Sequence, residues 1–447
     1  MLVIISDLHL TDGTTGTTIG AGAFEDFRAH LQDLAVDASA RLDGTYRPVG
    51  TIDLVLLGDV FDIIRSTKWT DEGETVRPWT DPKDPKLAAK IEEITNGILQ
   101  NNAKSFGILK GITTDDPITV PTKPGSAEQT AVTTRIFYII GNHDWFLHLP
   151  GKAFEDIRKS VRKTLGLSNP RGPFPHAPEN AHWLMDIFKV HRVFARHGDI
   201  FDPFNYDKEK GRNAATLGDA FVVELINLFP QEVRKRMSDE LSVELLDGLS
   251  ELANVRPSLL VPVWVDTLLQ NMEIPQAQAN VVKEIWDELA QNFLKLDFVR
   301  QLDKRFQFDA VDAMELILNL YDNVSLGTAS KALRFIQDKF WGGNTSFASY
   351  ALDEPAFRER WAHHIIYGHT HHYEIVPLDR VYMGYESFNQ LYYNSGTWHA
   401  VHELTIAHDD RFVFHHVMTF LTFFKEDERK GRPFETWSGT LGVRPKK

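Results

Sequence analysis

Five short segments of the sequence combine aspartate, histidine and asparagine at close spacing. They are Asp7-Leu8-His9, Gly58-Asp59-Val60-Phe61-Asp62, Gly141-Asn142-His143-Asp144, His197-Gly198-Asp199 and Gly368-His369-Thr370-His371. Carboxylate, carboxamide and imidazole groups are ligands of divalent cations such as Mn, Fe and Zn, and one carboxylate can bridge two ions. Clustered Asp and His side chains are costly to bury without a counter-charge. The five segments together predict a metal site made of nitrogen and oxygen ligands.

The apolar runs that precede these segments predict β-strands. The runs lie at residues 2–6, 52–57, 136–140, 190–196 and 364–367. Between the first three runs, apolar residues recur at helical spacing over residues 24–34 and 91–98, as in helices that cover a sheet. This alternation is typical of an α/β fold. Because functional groups collect at the carboxyl ends of strands in such folds, we expect the five segments to converge.

The strand pattern fades between about residues 204 and 352, where helical spacing takes over. The helical segments are expected at 220–229, 241–252, 281–298, 310–321 and 329–340. Apolar residues such as Phe221, Leu225 and Leu228 are expected to form the core of this block rather than a lipid groove. Strands are expected again at 390–394, 403–406 and 412–419. The sequence thus predicts a core of residues 1–204 and 352–447, interrupted by a helical insertion at 205–351.

The composition excludes several classes of protein. The 447 residues include 48 Lys and Arg against 62 Asp and Glu, a net charge of −14, and no cysteine. Without cysteine there is no disulfide framework, zinc ribbon, iron–sulfur cluster or thiol nucleophile. The acidic balance disfavours nucleic acid as a partner. No apolar run approaches the roughly 18 residues of a membrane span, and the N-terminus has no signal-peptide pattern. We therefore expect a cytoplasmic protein without a membrane span.

In their order along the chain, the five segments resemble the motifs of the calcineurin-like metallophosphoesterase superfamily. Its pattern D-x-H, G-D-x-x-D, G-N-H-[DE], H and G-H-x-H is met without a gap. Each motif alone is common, whereas five in order, each after a predicted strand, are specific. The resemblance covers about residues 1–204 and 352–447. It implies a four-layer α-β-β-α metallophosphoesterase sandwich, here with a large helical insertion as a cap.

The resemblance also implies two divalent metal ions per chain, with Mn favoured and Fe or Zn as alternatives. The implied metal ligands are Asp7, His9 and His371 for one ion, Asn142, His197 and His369 for the other, and Asp59 as the bridge between them. His143 is implied as the acid and electrostatic group of the reaction. Asp144 and Asp62 are candidates to orient its imidazole.

Two further side chains are candidates for binding substrate. Arg65 precedes a polar loop at residues 66–86 and could hold a substrate phosphate, although a solvated loop is the simpler interpretation. Asn394 opens the stretch Asn394-Ser395-Gly396-Thr397-Trp398, which is either a tight turn or a source of polar atoms near the metals.

Two metal ions about 3.5–4 Å apart lower the pKa of a bridging water and stabilise charge on phosphoryl oxygens. The expected activity is hydrolysis of a phosphodiester, pyrophosphate or phosphomonoester by in-line attack of the metal-bridging hydroxide. The substrate is expected to be a phosphorylated small molecule, a nucleotide or a lipid-linked compound. The sequence leaves the choice among these, and the oligomeric state, open.

Within the superfamily, the motifs are most similar to those of the UDP-2,3-diacylglucosamine pyrophosphohydrolases, which carry a helical lid between their last two motifs. Here 172 positions separate His197 from His369, and an insertion of this size indicates a bulky substrate. Two alternatives remain. One is a nuclease similar to the double-strand-break repair exonucleases, although only 76 residues follow His371. The other is a non-catalytic binding scaffold, but scaffolds usually lose ligands and none is missing here.

Overall fold

The computed structural model describes residues 1–256, 260–303, 346–384, 386–405, 407–408 and 411–442. These residues form a mixed α/β fold with a seven-stranded sheet, a four-stranded sheet and a two-stranded hairpin. The helical segments expected at 310–321 and 329–340 lie outside the described residues, as does residue 406 of an expected strand. Among the helices described, none combines the length and apolar character that crossing a membrane requires.

The strands, in chain order, are β1 (Leu2–Ile5), β2 (Thr51–Leu57), β3 (Thr119–Pro121), β4 (Gln129–Ala131), β5 (Thr133–Ile139), β6 (Val193–Ala195), β7 (Val255–Arg256), β8 (His364–Tyr367), β9 (Glu374–Met383), β10 (Glu386–Asn394), β11 (His399–Leu404), β12 (Phe412–Phe423) and β13 (Phe434–Gly442). The helices are α1 (Ala21–Ala38), α2 (Pro85–Asn101), α3 (Ala103–Gly111), α4 (Lys152–Leu165), α5 (His182–Val190), α6 (Leu217–Phe221), α7 (Leu228–Met237), α8 (Val243–Ser250), α9 (Val261–Asn271), α10 (Gln276–Lys295), α11 (Asp297–Asp303), α12 (Ala348–Ala351) and α13 (Pro355–Arg358), with a π-helical turn at Val222–Asn227.

The larger sheet begins with the parallel strands β5, β2 and β1. β1 pairs antiparallel with the C-terminal end of β12, which also pairs with β11 and β13. In the smaller sheet β6, β8 and β10 are parallel and β9 is antiparallel to β10. The five strands expected before the motif segments are confirmed as β1, β2, β5, β6 and β8. β6 is shorter than expected because α5 continues to Val190.

Side chains of β1 alternate between two apolar clusters, as the two-residue period of a strand requires. Val3 packs in one cluster with Phe27 of α1 and Ile94 of α2. Leu2 packs in the other with Ile366 of the smaller sheet. Each fully buried side chain of this size contributes about 1.5–3 kcal/mol, so these contacts hold the two sheets and the helices together.

The insertion has an apolar core of its own and is joined to the rest of the chain by hydrogen bonds and strand pairing. Phe221 and Leu225 are buried in this core and Leu228 packs against it, which confirms the expectation for these residues. The side-chain amide of Asn227 donates to the carbonyl of Ile64 at 2.8 Å. β7, inside the insertion, pairs with β11 and so extends the larger sheet.

Candidate metal centre

The motif segments meet where strands of both sheets reach their carboxyl ends. Asp7 and Asp59 follow the neighbouring strands β1 and β2 of the larger sheet. In the smaller sheet, the backbone N–H of Gly368 donates to the carbonyl of His197 at 2.8 Å. The two sheets are joined at this point because the backbone N–H of His369 donates to the Asp7 carboxylate at 3.2 Å. The parallel strand ends therefore bring distant segments together, as expected.

Asp7, His9 and His371 form one group of side chains that could hold a metal ion. Nε2 of His9 lies 3.0 Å from Nε2 of His371, which lies 3.4 Å from Oδ1 of Asp7. His9 and Asp7 are buried, and His371 is partly buried.

A second group consists of Asp59, His197 and His369. Oδ2 of Asp59 lies 3.3 Å from Nε2 of His197. Asn142 completes this group, because its side-chain oxygen lies 2.9 Å from Nδ1 of His369 and 3.2 Å from Nε2 of His197. The four side chains thus present oxygen and nitrogen atoms toward a common point.

The donor set passes two tests of fit to divalent cations. Ligand atoms at about 2.1 Å from one ion lie roughly 3 Å apart when they subtend a right angle. Most of the separations within the two groups are between 2.9 and 3.4 Å, and the exception is the 4.0 Å between Nε2 of His9 and Oδ1 of Asp7. In addition, Oδ2 of Asp59 faces both groups, at 3.7 Å from Nε2 of His9 and 3.3 Å from Nε2 of His197. These donors fit a site for divalent cations in which Asp59 is shared.

Hydrogen bonds at the outer nitrogens orient three of the four imidazole rings. Nδ1 of His9 lies 2.8 Å from Oδ2 of Asp62, and Nδ1 of His197 lies 2.9 Å from the carbonyl of Leu57. Carboxylates and carbonyls only accept, so each Nδ1 carries a hydrogen and Nε2 is the nitrogen of each ring that could bind a cation. Nε2 of His369 likewise donates to Asp202 at 2.9 Å, which leaves Nδ1 of His369 as its ligand atom. Such partners fix the tautomer that a metal ligand needs.

His371 differs from the other three rings. The Nε–H of Arg256 donates to Nδ1 of His371 at 3.2 Å. Coordination of a cation through Nε2 would place the hydrogen of this ring on Nδ1. Nδ1 could then no longer accept a hydrogen bond from the Nε–H of Arg256, because two donors would face each other. A cation on His371 and this hydrogen bond therefore exclude each other.

The backbone at the site adopts a conformation that side chains seldom tolerate. Of the ten non-glycine residues with positive φ in the described chain, five belong to the motif segments. These five are Asp7, His9, Asp59, His369 and His371, with φ between 45° and 68°. Left-handed backbone at a non-glycine residue costs of order 1–3 kcal/mol and concentrates at functional sites. The strain indicates that these side chains are held in place by their surroundings.

Two glycines are required because ligands approach their backbone closely. A Cβ at Gly141 would overlap Oδ1 of Asp59 and lie 2.7 Å from Nε2 of His197. A Cβ at Gly368 would lie 2.6 Å from Oδ2 of Asp7. The glycines of the G-N-H and G-H-x-H segments thus make room for the ligands themselves.

The buried carboxylates attract positive charge to the centre. Burial opposes the charge of Asp59, but the facing imidazoles of His197 and His143 lower its pKa well below the usual value. Burial likewise opposes a charge on His197, yet attraction to Asp59 raises its pKa well above the usual value. The carboxylate that draws a proton to His197 would also attract a divalent cation.

His143 lies beside this centre and is held by Asp62. Nδ1 of His143 is 2.6 Å from Oδ1 of Asp62, and its backbone N–H donates to Oδ1 of Asp59 at 2.8 Å. Burial alone would lower the pKa of His143, but attraction to Asp62 and Asp59 raises it to about 9. Its side chain is 17% exposed, compared with 1% for His9 and 15% for His371, so solvent can reach the imidazole of His143.

Asp144 lies next to His143 in sequence and has a different set of partners. Its carboxylate accepts from the backbone N–H groups of Gly141 at 2.6 Å and Val60 at 2.9 Å, and from the hydroxyl of Tyr138 at 2.5 Å. Burial, followed by repulsion from Asp59, raises the pKa of Asp144 to about 7. Asp144 therefore ties two ligand loops together, whereas Asp62 contacts the imidazole of His143.

Arg65 and Asn394 are both buried near the centre. The guanidinium of Arg65 donates to Asp62 at 3.3 Å and lies 3.0 Å from Nε2 of His399. The amide of Asn394 donates to the carbonyl of Gly368 at 2.8 Å, so it supports the loop that carries His369.

Three residues of the site were not expected from the sequence: Asp202, Arg256 and His399. Asp202 lies only five positions after His197, just before the insertion, and that spacing was the available signal. Arg256 lies in the insertion and His399 follows the turn after β10, so only the folded chain brings them to the metal groups.

No protein-family model matches the chain, and no curated protein matches it.

Proposed function

We propose that the protein is a metal-dependent phosphoesterase that binds two divalent cations, with Mn favoured. One cation would be held by Asp7, His9 and His371, and the other by Asn142, His197 and His369, with Asp59 shared. The observation that carries the proposal is the position of Asp59 Oδ2, which faces Nε2 of both His9 and His197. The ordered resemblance of the five motifs supports the same assignment.

The fold supports this proposal in outline. Leu2 of the larger sheet and Ile366 of the smaller sheet share one apolar cluster, while helices pack on the far side of the larger sheet. Phe194 on the far side of the smaller sheet packs with α12 and α13. We therefore favour a four-layer α-β-β-α metallophosphoesterase sandwich, capped by the insertion.

When bound, the cations would lower the pKa of a water and neutralise charge that develops on the phosphoryl oxygens. The chain's own residues would position the reactants around them. Asp62 holds Nδ1 of His143, so Nε2 of His143 is directed away from Asp62 and can reach a substrate oxygen. Its raised pKa suits a group that gives a proton to the leaving oxygen or stabilises the charge there.

The substrate is a phosphorylated small molecule, nucleotide or lipid-linked compound whose remote part contacts the insertion. The insertion reaches the centre through β7, since Arg256 touches His371. Contacts remote from the reacting phosphorus can orient a substrate and increase the rate.

The test is hydrolysis of bis-p-nitrophenyl phosphate and p-nitrophenyl phosphate by metal-stripped protein resupplied with Mn²⁺. We expect turnover that depends on Mn²⁺ and is absent in Asp59→Asn, because that variant removes the shared carboxylate. Reaction of the diester would indicate a diester or pyrophosphate substrate, and reaction of the monoester alone would indicate a phosphatase. Full activity of Asp59→Asn, or two bound metals without hydrolysis of any phosphate ester, would contradict the proposal.

A further inference from the structure

A ring of polar side chains connects the insertion to the candidate metal centre. Arg256 donates to His371, whose ring centroid lies 6.1 Å from that of His399. Nε2 of His399 lies 3.0 Å from Nη1 of Arg65, and Nη2 of Arg65 donates to Oδ1 of Asn254 at 2.8 Å. Asn254 is two positions from Arg256, which closes the ring.

The two arginines make this ring positively charged, and several of its groups lack an ion-pair or hydrogen-bond partner among the described residues. Arg256 forms no ion pair with any carboxylate in the part of the chain that the structure describes. Its Nη1 instead donates to the carbonyls of Ala253 and Val255 at 2.9 Å. Two buried donor positions, Nε of Arg65 and Nδ1 of His399, also have no hydrogen-bond partner there. Arg65 has the carboxylate of Asp62 at 3.3 Å as a counter-charge, whereas Arg256 has none among the described residues, and an anion beside Arg256 would supply it.

This ring directly adjoins the ligands of the first metal group. Arg256 contacts His371, and the ring of His399 stacks on that of His9 with centroids 5.2 Å apart. An anionic group held here would therefore be a near neighbour of a phosphoryl group bound at the metals.

We propose that Arg65 and Arg256 form a subsite that binds a second anionic group of the substrate, either a phosphate or a carboxylate. The proposal rests on the phosphoesterase function, because it takes the metal centre as the site of the reacting phosphorus. Guanidinium groups are well suited to this task, since they bind both kinds of oxyanion through paired N–H donors.

The tautomer of His371 supports this proposal. A cation on Nε2 of His371 displaces the Nε–H of Arg256 from Nδ1, so Arg256 loses this acceptor in the loaded centre. An anionic group of the substrate could then accept the hydrogen bond of the Arg256 Nε–H in place of His371. The backbone of Arg256 stays in place meanwhile, because β7 pairs with His402 and Glu403 of β11.

The experiment measures binding to the Mn²⁺-loaded protein by calorimetry. The three probes resist hydrolysis. Methylphosphonate carries a single phosphonate, methylenediphosphonate carries two phosphonates, and phosphonoacetate carries one phosphonate and one carboxylate. We expect at least one of the two-anion probes to bind 10-fold or more tightly than methylphosphonate. The better of the two identifies the second group as phosphate or carboxylate.

The variant Arg256→Gln removes the charge and keeps a side chain of similar length. We expect it to retain bound Mn²⁺ and to lose most of the preference for a two-anion probe, while Arg256→Lys keeps part of it. Arg234→Gln, at an exposed arginine of the insertion, is the matched control and should keep the full preference.

An unchanged preference in Arg256→Gln with Mn²⁺ bound would overturn the subsite. So would equal affinity of the wild-type protein for all three probes. Failure of the phosphoesterase function is a different result, because then Mn²⁺-dependent hydrolysis of the nitrophenyl esters is absent from the wild-type protein itself.

Discussion

The carboxylate of Asp62 divides its two oxygens between His9 and His143, with Oδ2 2.8 Å from Nδ1 of His9 and Oδ1 2.6 Å from Nδ1 of His143. One side chain thus orients a candidate metal ligand and the candidate acid. Attraction to His143 and Arg65 outweighs the effect of burial and holds the pKa of Asp62 well below its usual value. Asp62 therefore remains an anion that accepts from both rings.

Replacing Asp62 by asparagine should impair both functions at once. An amide can accept from only one of the two imidazoles, so the other ring loses its orientation. We expect a 10–100-fold loss of Mn²⁺ affinity and a rate loss of about 10²–10⁴-fold at saturating Mn²⁺. Metal titration and steady-state kinetics measure the two effects separately. Wild-type values for both would show that Asp62 is dispensable.

Replacing His143 by alanine should reduce the rate and leave the metals bound. His143 donates its backbone N–H to Asp59, and this contact does not depend on the side chain. The loss should reach about 10²–10⁴-fold and be greatest for substrates with poor leaving groups, which need the proton most. A series of aryl phosphate esters measures this dependence. A loss of bound metal as large as the loss of rate would instead identify His143 as a metal ligand.

Replacing Asp202 by asparagine should weaken metal binding through His369. Nε2 of His369 donates to Oδ2 of Asp202, and Asn205 donates to the same oxygen at 2.8 Å. We expect about 10–100-fold weaker binding of Mn²⁺, measured by titration of metal-stripped protein. Asp33→Asn, at an exposed position of α1, is the control and should bind as the wild type does. Equal affinities of the two variants would refute the positioning role of Asp202.

Replacing Gly141 by alanine should damage the centre by steric overlap alone. The new methyl group meets Asp59 and His197, and a displacement of about 1 Å at a catalytic site can cost 10²-fold in rate. Gly107→Ala, in the exposed face of α3, meets nothing within 4 Å and should be neutral or stabilising by up to about 1 kcal/mol. Activity and thermal unfolding of both variants distinguish the local clash from a general effect. The expectation fails if Gly141→Ala keeps wild-type activity.

Stability should fall on acidification partly because of His364. Burial, helped by repulsion from His363, lowers the pKa of His364 to about 3, below the value of about 6.5 in the unfolded chain. The free energy of unfolding therefore includes the full contribution of neutral His364 above pH 6.5, and this contribution is lost as the pH falls toward 3. Between pH 7.5 and pH 5 the loss is about 2 kcal/mol.

The variant His364→Gln tests this contribution by urea unfolding at both pH values. Glutamine does not titrate and can still accept from Tyr393, whose hydroxyl lies 3.0 Å from Nδ1 of His364. The pH dependence should therefore be about 2 kcal/mol smaller than in the wild type. An equal dependence would mean that His364 is not a buried neutral histidine.

The local pattern of the sequence was enough to predict the strands that end at the site. Runs such as the one before Asp7 are strongly apolar and end at a glycine or a charged residue, so their boundaries are visible. The same rule failed for β7, because a two-residue strand has no period and exists only through pairing with β11. It also failed for the hairpin of β3 and β4, because strands of three residues are too short to show a period, although Val120 of β3 is buried.

The hydrogen-bond partners of the candidate ligands were harder to predict from the sequence than the convergence of the motif segments. Asp62 belongs to the same segment as Asp59, so the sequence could suggest it. Asp202 reaches His369 across 167 positions, and Arg256 reaches His371 across 115. The Arg256 contact depends on how the insertion docks, and the Asp202 contact depends on how the chain after β6 packs against the loop after β8. A single sequence has no local signal for either.

The pairing of β7 with β11 restricts how a substrate can enter. Separating the insertion from the sheet as a rigid lid would break this pairing together with the contacts of Asn254 to Arg65 and Thr17. For the proposed activity, such an opening would be costly in each turnover. Exchange of substrate and product would instead require side chains such as Arg256 to move while β7 stays paired with β11.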